Sequence, residues 1–206
     1  FGVIFALVAG ILFGLIGPTT KIAYNSGASV ALTIFLRYAV ASIIILPFIP
    51  YQNNLLEIFK KNLKYFLSIS AGSILLTLGL LTSVIFIEVS LTILIFCLYP
   101  IYVLLFSIIV DKEKISLTVK ILFFVTFLGI ILVIGPSFKV INIVGILLAF
   151  LASLGSTSMI IVNQKMSIKG ISPIPINIFI NVFNTIFFFV ILKIFFSLNF
   201  NFDINI

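Results

Sequence analysis

Seven long apolar runs constrain this chain more than any other feature. A helix needs roughly 20 mostly apolar residues to cross the hydrocarbon layer of a bilayer. Read between Gly, Pro and polar breakers, the runs fall near 2–22, 30–50, 65–86, 89–110, 117–135, 141–163 and 173–197. They are too long for barrel strands and lack the in–out alternation of such strands. A water-soluble fold is excluded by a content that is 63% hydrophobic and only 8% charged, since soluble domains carry about 25% charged residues. The expected fold class is an all-α polytopic membrane protein of about seven transmembrane helices.

Charge then orients the runs. Of the 12 basic residues, all but Arg37 are lysines, and they lie between or at the ends of the runs. Counting alternate loops places Lys60, Lys61, Lys64, Lys112, Lys114, Lys120, Lys165 and Lys169 on one side, and Lys21, Lys139 and Lys193 on the other. The positive-inside bias makes the first side cytoplasmic, with the N-terminus on it. The expected location is the cell (inner) membrane, crossed many times. Dispersed loop lysines explain the net charge of +7 without nucleic acid, which is not an expected partner. The absence of histidine and the single Cys97 remove histidine-based catalysis and disulfide scaffolds. No catalytic residue, metal or cofactor is expected. The expected partners are a small-molecule solute and membrane lipid, with a homodimer left open.

The chain also repeats itself. At an offset of 143 residues, without a gap, Gly2, Ala6, Ala9 and Gly10 fall on Gly145, Ala149, Ala152 and Ser153, and Gly27 and Ser29 fall on Gly170 and Ser172. The small residues Ala6, Gly10 and Gly14 recur as Ala149, Ser153 and Thr157. A spacing of four keeps them on one helix face, where they allow another helix to approach closely. A unit of five spans is odd in number, so a second copy must enter the membrane from the opposite side, as in the inverted repeats of secondary transporters. The expected domains are a first five-helix repeat over 1–137 and the start of a second over 141–206. Two complete copies would make about 280 residues and ten spans, so the sequence, which also opens within an apolar run and without Met, reads as a truncated fragment.

Three stretches carry a family resemblance: FALVAGILFGLIGPTTKIAY, LTIFLRYAVASIIILP and SLTILIFCLYPIYVLLFSIIVDKEKIS. In order and spacing the chain resembles the EamA-like branch of the drug/metabolite transporter superfamily. In that pattern Lys21 fits the lysine closing helix one and Arg37 the arginine before an aromatic residue in helix two. Pro100 fits the proline within helix four, Glu113 the acidic residue after it, and Gly129 the later glycine of helix five. An earlier glycine expected in helix five is replaced by bulky residues. The resemblance implies ten helices in two repeats, and an inner-membrane carrier of small organic solutes such as amino acids or other metabolites.

Polar residues within the runs are the candidate site. Arg37 sits about eight residues into the second run, where a charge costs at least ~2.5–3.5 kcal/mol and should face the bundle interior or a partner. Glu88, near the same outer level, is the partner to expect, and the pair would close the outer side of a cavity. Pro100 lies mid-run between Tyr99 and Tyr102. It lacks a backbone donor and frees the carbonyl of Phe96, which suits either a packing kink or a wet cavity. Asn177, Asn181 and Asn184 share one helical face, and through the offset they match Ile34, Tyr38 and Ala41, on the face of Arg37. That arrangement favours a shared central cavity over helix–helix bonding. Thr77, with Ser73, is a weaker candidate, because hydroxyls can bond to their own helix. Asp111 and Glu113, interleaved with Lys112 and Lys114, read as a solvated turn, and Cys97 as a buried apolar residue.

The leading expectation is an alternating-access carrier with its solute between the repeats. One alternative is a non-transporting membrane scaffold or decayed fragment, whose polar faces would not converge. Another is an intramembrane lipid-modifying enzyme, which needs clustered acids or histidines that the sequence does not provide.

Overall fold

A computed structural model describes residues 2–49, 54–110, 112, 116–134 and 142–195. Among the described residues every regular element is helical. The first run forms α1 (Gly2–Gly14) and α2 (Ile16–Asn25), which together make one apolar stretch. The second forms α3 (Val30–Ile45), continued by a 3-10 turn at Leu46–Phe48 that holds Pro47. A short α4 (Leu55–Lys61) precedes α5 (Leu63–Phe86). The fourth run is divided into α6 (Val89–Phe96) and α7 (Tyr99–Ile109). Then follow α8 (Leu117–Ile134), α9 (Ile143–Ile168) and α10 (Pro173–Phe195). Among the described residues five helical stretches are long and apolar enough to cross a membrane: Gly2–Asn25, Leu63–Phe86, Val89–Ile109, Ile143–Ile168 and Pro173–Ile194. At 16 residues α3 is shorter, and α8 adds 18 residues of nearly continuous apolar sequence.

Two details depart from the hydropathy pattern. Helix α9 runs on to Ile168 rather than ending near 163, because its last turns, with Asn163, Gln164 and Lys165, are polar yet still helical. Helix α4 is too short and mixed to stand out as an apolar run. Its Glu57 in the first turn and Lys60 and Lys61 in the last complement the helix dipole. Asp111, Glu113 and Lys139 lie outside the described residues.

Helices α5 and α9 form the spine. Gly72 lies against Gly155, Gly79 against Leu148 and Ala152, and Gly145 against Phe86 and Ile87, so the two run antiparallel. Their approach leaves no room for side chains. A Cβ at Gly155 would stand 2.6 Å from the backbone nitrogen of Leu76. This is packing by small residues, the main source of helix association where no water drives it. On the neighbouring faces Ala149, Ala152 and Ser153 are wholly buried.

Helices α3 and α10 pack beside this spine, also antiparallel. Tyr38 stacks on Phe188, Phe35 meets Phe189, and the hydroxyls of Ser42 and Thr185 lie 3.0 Å apart. Ser42 and Thr185 are themselves 143 residues apart, so α3 and α10 touch through equivalent positions, as elements do on either side of a two-fold axis. The same offset links the flanking joints. Helices end at Asn25 and Ile168, glycines adopt positive φ at Gly27 (+87°) and Gly170 (+75°), and helices restart at Val30 and Pro173. Only glycine takes that backbone conformation freely, which accounts for its return at this joint.

Candidate functional site

Where α3, α5, α9 and α10 meet, they border an open-mouthed cavity of about 530 Å³. Arg37, Tyr38 and Ala41 reach it from α3, and Ser73 and Thr77 from α5. Ser156, Met159 and Asn163 reach it from α9, and Asn177, Ile180 and Asn181 from the first half of α10. The broken helix adds Phe96 and Tyr99, and α1 adds Phe13. Each long helix contributes residues about one turn apart, which is how a single face of a helix lines a space.

Tyr38 is the most firmly held of these side chains. It is only 4% exposed, and its hydroxyl lies 2.7 Å from both Ser73 Oγ and Thr77 Oγ1 and 3.1 Å from the Ser73 carbonyl oxygen. The hydroxyls of Ser73 and Thr77 are thus committed to a tyrosine of α3 and not to their own backbone. Asn177 donates its amide N–H to the Pro173 carbonyl and Asn181 donates to the Asn177 carbonyl, each at 2.9 Å. Both amides therefore spend a donor on the helix and keep Oδ1 as an acceptor. Thr157 donates to the Ser153 carbonyl at 2.9 Å and also reaches the Tyr99 carbonyl at 3.3 Å, which fastens α9 to the break in the fourth run. The break lies at Cys97 and Leu98, and Pro100 occupies the first turn of α7, a position where its missing donor does little harm.

Five of the nine candidate residues converge on the cavity: Arg37, Thr77, Tyr99, Asn177 and Asn181. Glu88, Pro100, Tyr102 and Asn184 are not on its wall. The expected pairing of Arg37 with Glu88 is not formed, and Arg37 Nη1 is buried without a hydrogen-bond partner. Arg37 adjoins Tyr38, which is level with Ser73 and Thr77 in the middle of α5, whereas Glu88 caps α6 beyond the far end of that helix. Eleven residues of helix separate Thr77 from Glu88, roughly 16 Å at 1.5 Å per residue. At that end of α5 it is Lys21 that reaches across, donating to the Val84 carbonyl at 3.2 Å. Tyr102 packs edge-on to Phe150. Asn184 is wholly buried one turn past the cavity, beside Thr185 where α3 and α10 close together, and neither of its amide atoms has a partner.

Phe13, Ser156, Met159 and Asn163 also line the cavity, though the sequence pattern does not mark them as candidates. Asn163 lies at the very end of the apolar run 141–163, where the polar last turns of α9 begin. Ser156 sits one position before Thr157 of the small-residue stripe, and nothing in the sequence distinguishes its face from that of its neighbours. Tyr38 had a signal, being the repeat equivalent of Asn181 and adjacent to Arg37.

Apolar helices around a chamber lined by both polar and apolar side chains, with one helix broken beside it, define a polytopic α-helical membrane protein. Residues 1–135 match the model of the EamA-like transporter family. The chain belongs to that family, within the drug/metabolite transporter superfamily, and is a membrane transporter of the drug/metabolite type. No curated protein and no solved structure matches it.

Proposed function

We propose that the chain is a secondary carrier that binds a small organic solute in the chamber between α3, α5, α9 and α10 and exposes it to either side by alternating access. The observation that carries this reading is the origin of the chamber wall. Arg37 and Tyr38 of α3 meet Ile180 and Asn181 of α10, positions related by the 143-residue offset on helices of opposite direction. Inverted repeats with a midplane site between them are the usual architecture of such carriers, and rocking of one repeat against the other opens the site to each side. The two domains, 1–137 and 141–206, are read as these repeats. The convergence of polar groups supports a carrier over a scaffold. A wall without carboxylate or histidine among the described residues supports transport over acid–base catalysis. The loop lysines support a cytoplasmic N-terminus in the cell's inner membrane. The homodimer stays outside this reading.

The test is counterflow in proteoliposomes made with the gene product, using labelled amino acids and organic acids. Ala41→Phe, which fills the chamber, is expected to abolish counterflow while leaving helical content and yield unchanged. Undiminished counterflow in Ala41→Phe would remove the chamber as the pathway.

A further inference from the structure

One charged group faces the chamber, and it lacks a counter-charge. Arg37 lies on the wall, its Nη1 is buried with no partner, and among the described residues no aspartate or glutamate lines the space. A charge kept at membrane depth is expected to meet an opposite charge or water, and the polar groups on the wall, Ser156, Asn163, Asn177 and Asn181 among them, are neutral. Tyr38, Ser73 and Thr77 satisfy each other, and Asn177 and Asn181 hold their donors on the helix backbone.

We infer that the cargo supplies the missing charge, and that the chamber selects a small organic monocarboxylate with an apolar body. This rests on the carrier reading and deepens it. The planar fork of a guanidinium matches the two oxygens of a carboxylate. A single cation balances a single negative charge, which disfavours a dianionic phosphate ester. Much of the rest of the wall is fitted to an apolar body, since Phe13, Phe96, Tyr99 and Met159 face the same space. The free Oδ1 atoms of Asn177 and Asn181 can accept a hydrogen bond from a hydroxyl or amino group on the cargo. Apolar walls with a few placed polar groups are the common make-up of small-molecule sites.

The test uses matched solutes that differ only in charge: phenylacetate, phenylacetamide and phenethylamine, with isovalerate, isovaleramide and isoamylamine as a second set. Binding to the purified gene product is read as a rise in its melting midpoint, followed with a thiol-reactive dye at Cys97, the single cysteine. The carboxylates are expected to raise the midpoint while their amides and amines do not. Arg37→Gln is expected to weaken carboxylate binding about tenfold or more. Arg37→Lys, which keeps the charge without the fork, is expected to bind more weakly with the same preference. Equal shifts by amide and carboxylate, preference for the amine, no shift by either carboxylate, or unchanged binding in Arg37→Gln would overturn the inference. Charge-indifferent binding accompanied by counterflow would leave the carrier standing and remove only the anion preference. Carboxylate-selective binding without counterflow of any solute would do the reverse.

Discussion

Helices α1 and α9 occupy the same place in the 143-residue register and carry the same stripe of small residues, yet they are used differently. On α9, Ala149 and Ser153 are wholly buried and Thr157 is 7% exposed, and on the adjoining face Gly155 is pressed against the backbone of α5. On α1, a Cβ at Gly10 or Gly14 would meet nothing within 4 Å among the described residues, and the large residues around them are exposed. Only further along, in α2, does close packing begin, where Gly17 lies against Val89 of α6. The difference teaches that small residues permit contact without creating it. In a bilayer the gain comes from van der Waals packing and interhelical bonds, so the same stripe stabilises one helix and is idle on the other, according to whether a partner of complementary shape lies beside it.

That contrast can be broken by mutation. Gly155→Ala forces a methyl group against the backbone of Leu76 and Gly72 and is expected to cost about 1–3 kcal/mol, read as a lowered midpoint in thermal or denaturant unfolding of the purified protein. Tyr38→Phe removes the link from α3 to both hydroxyls of α5 and should cost about 1 kcal/mol, again by unfolding. Gly10→Ala should move the other way, gaining about 0.5–1 kcal/mol from helix propensity alone. A loss at Gly10 as large as that at Gly155 would show that α1 is packed after all. The smallest effect belongs to the contact between equivalent positions. A double-mutant cycle of Ser42→Ala and Thr185→Ala should give a coupling of about 0.6 kcal/mol, and zero coupling would remove this bond from the α3–α10 interface.

Much of this fold was legible because hydropathy and breakers act residue by residue. The seven runs each became helix. The joint at Gly27 and Gly170 was marked by glycines that tolerate positive φ, and the break near Pro100 by a missing donor. The site was legible only in part. Asn177 and Asn181 reached the chamber, but Asn184, on the same helical face, did not, because distance along α10 counted as much as rotation about it. Glu88 was matched to Arg37 by its place in the outer half of the membrane, and three-dimensional spacing along α5 separates them.

From the order of its residues alone, this chain was committed to a membrane, to long helices, and to a pattern that returns after 143 positions, because burial in lipid demands apolar length and internal backbone bonding. Which polar side chains share one chamber, and that Arg37 faces it with no carboxylate on the wall among the described residues, was decided by how the helices pack. Depth, tilt and approach between helices depend on contacts between residues far apart in the chain, and no local pattern specifies them.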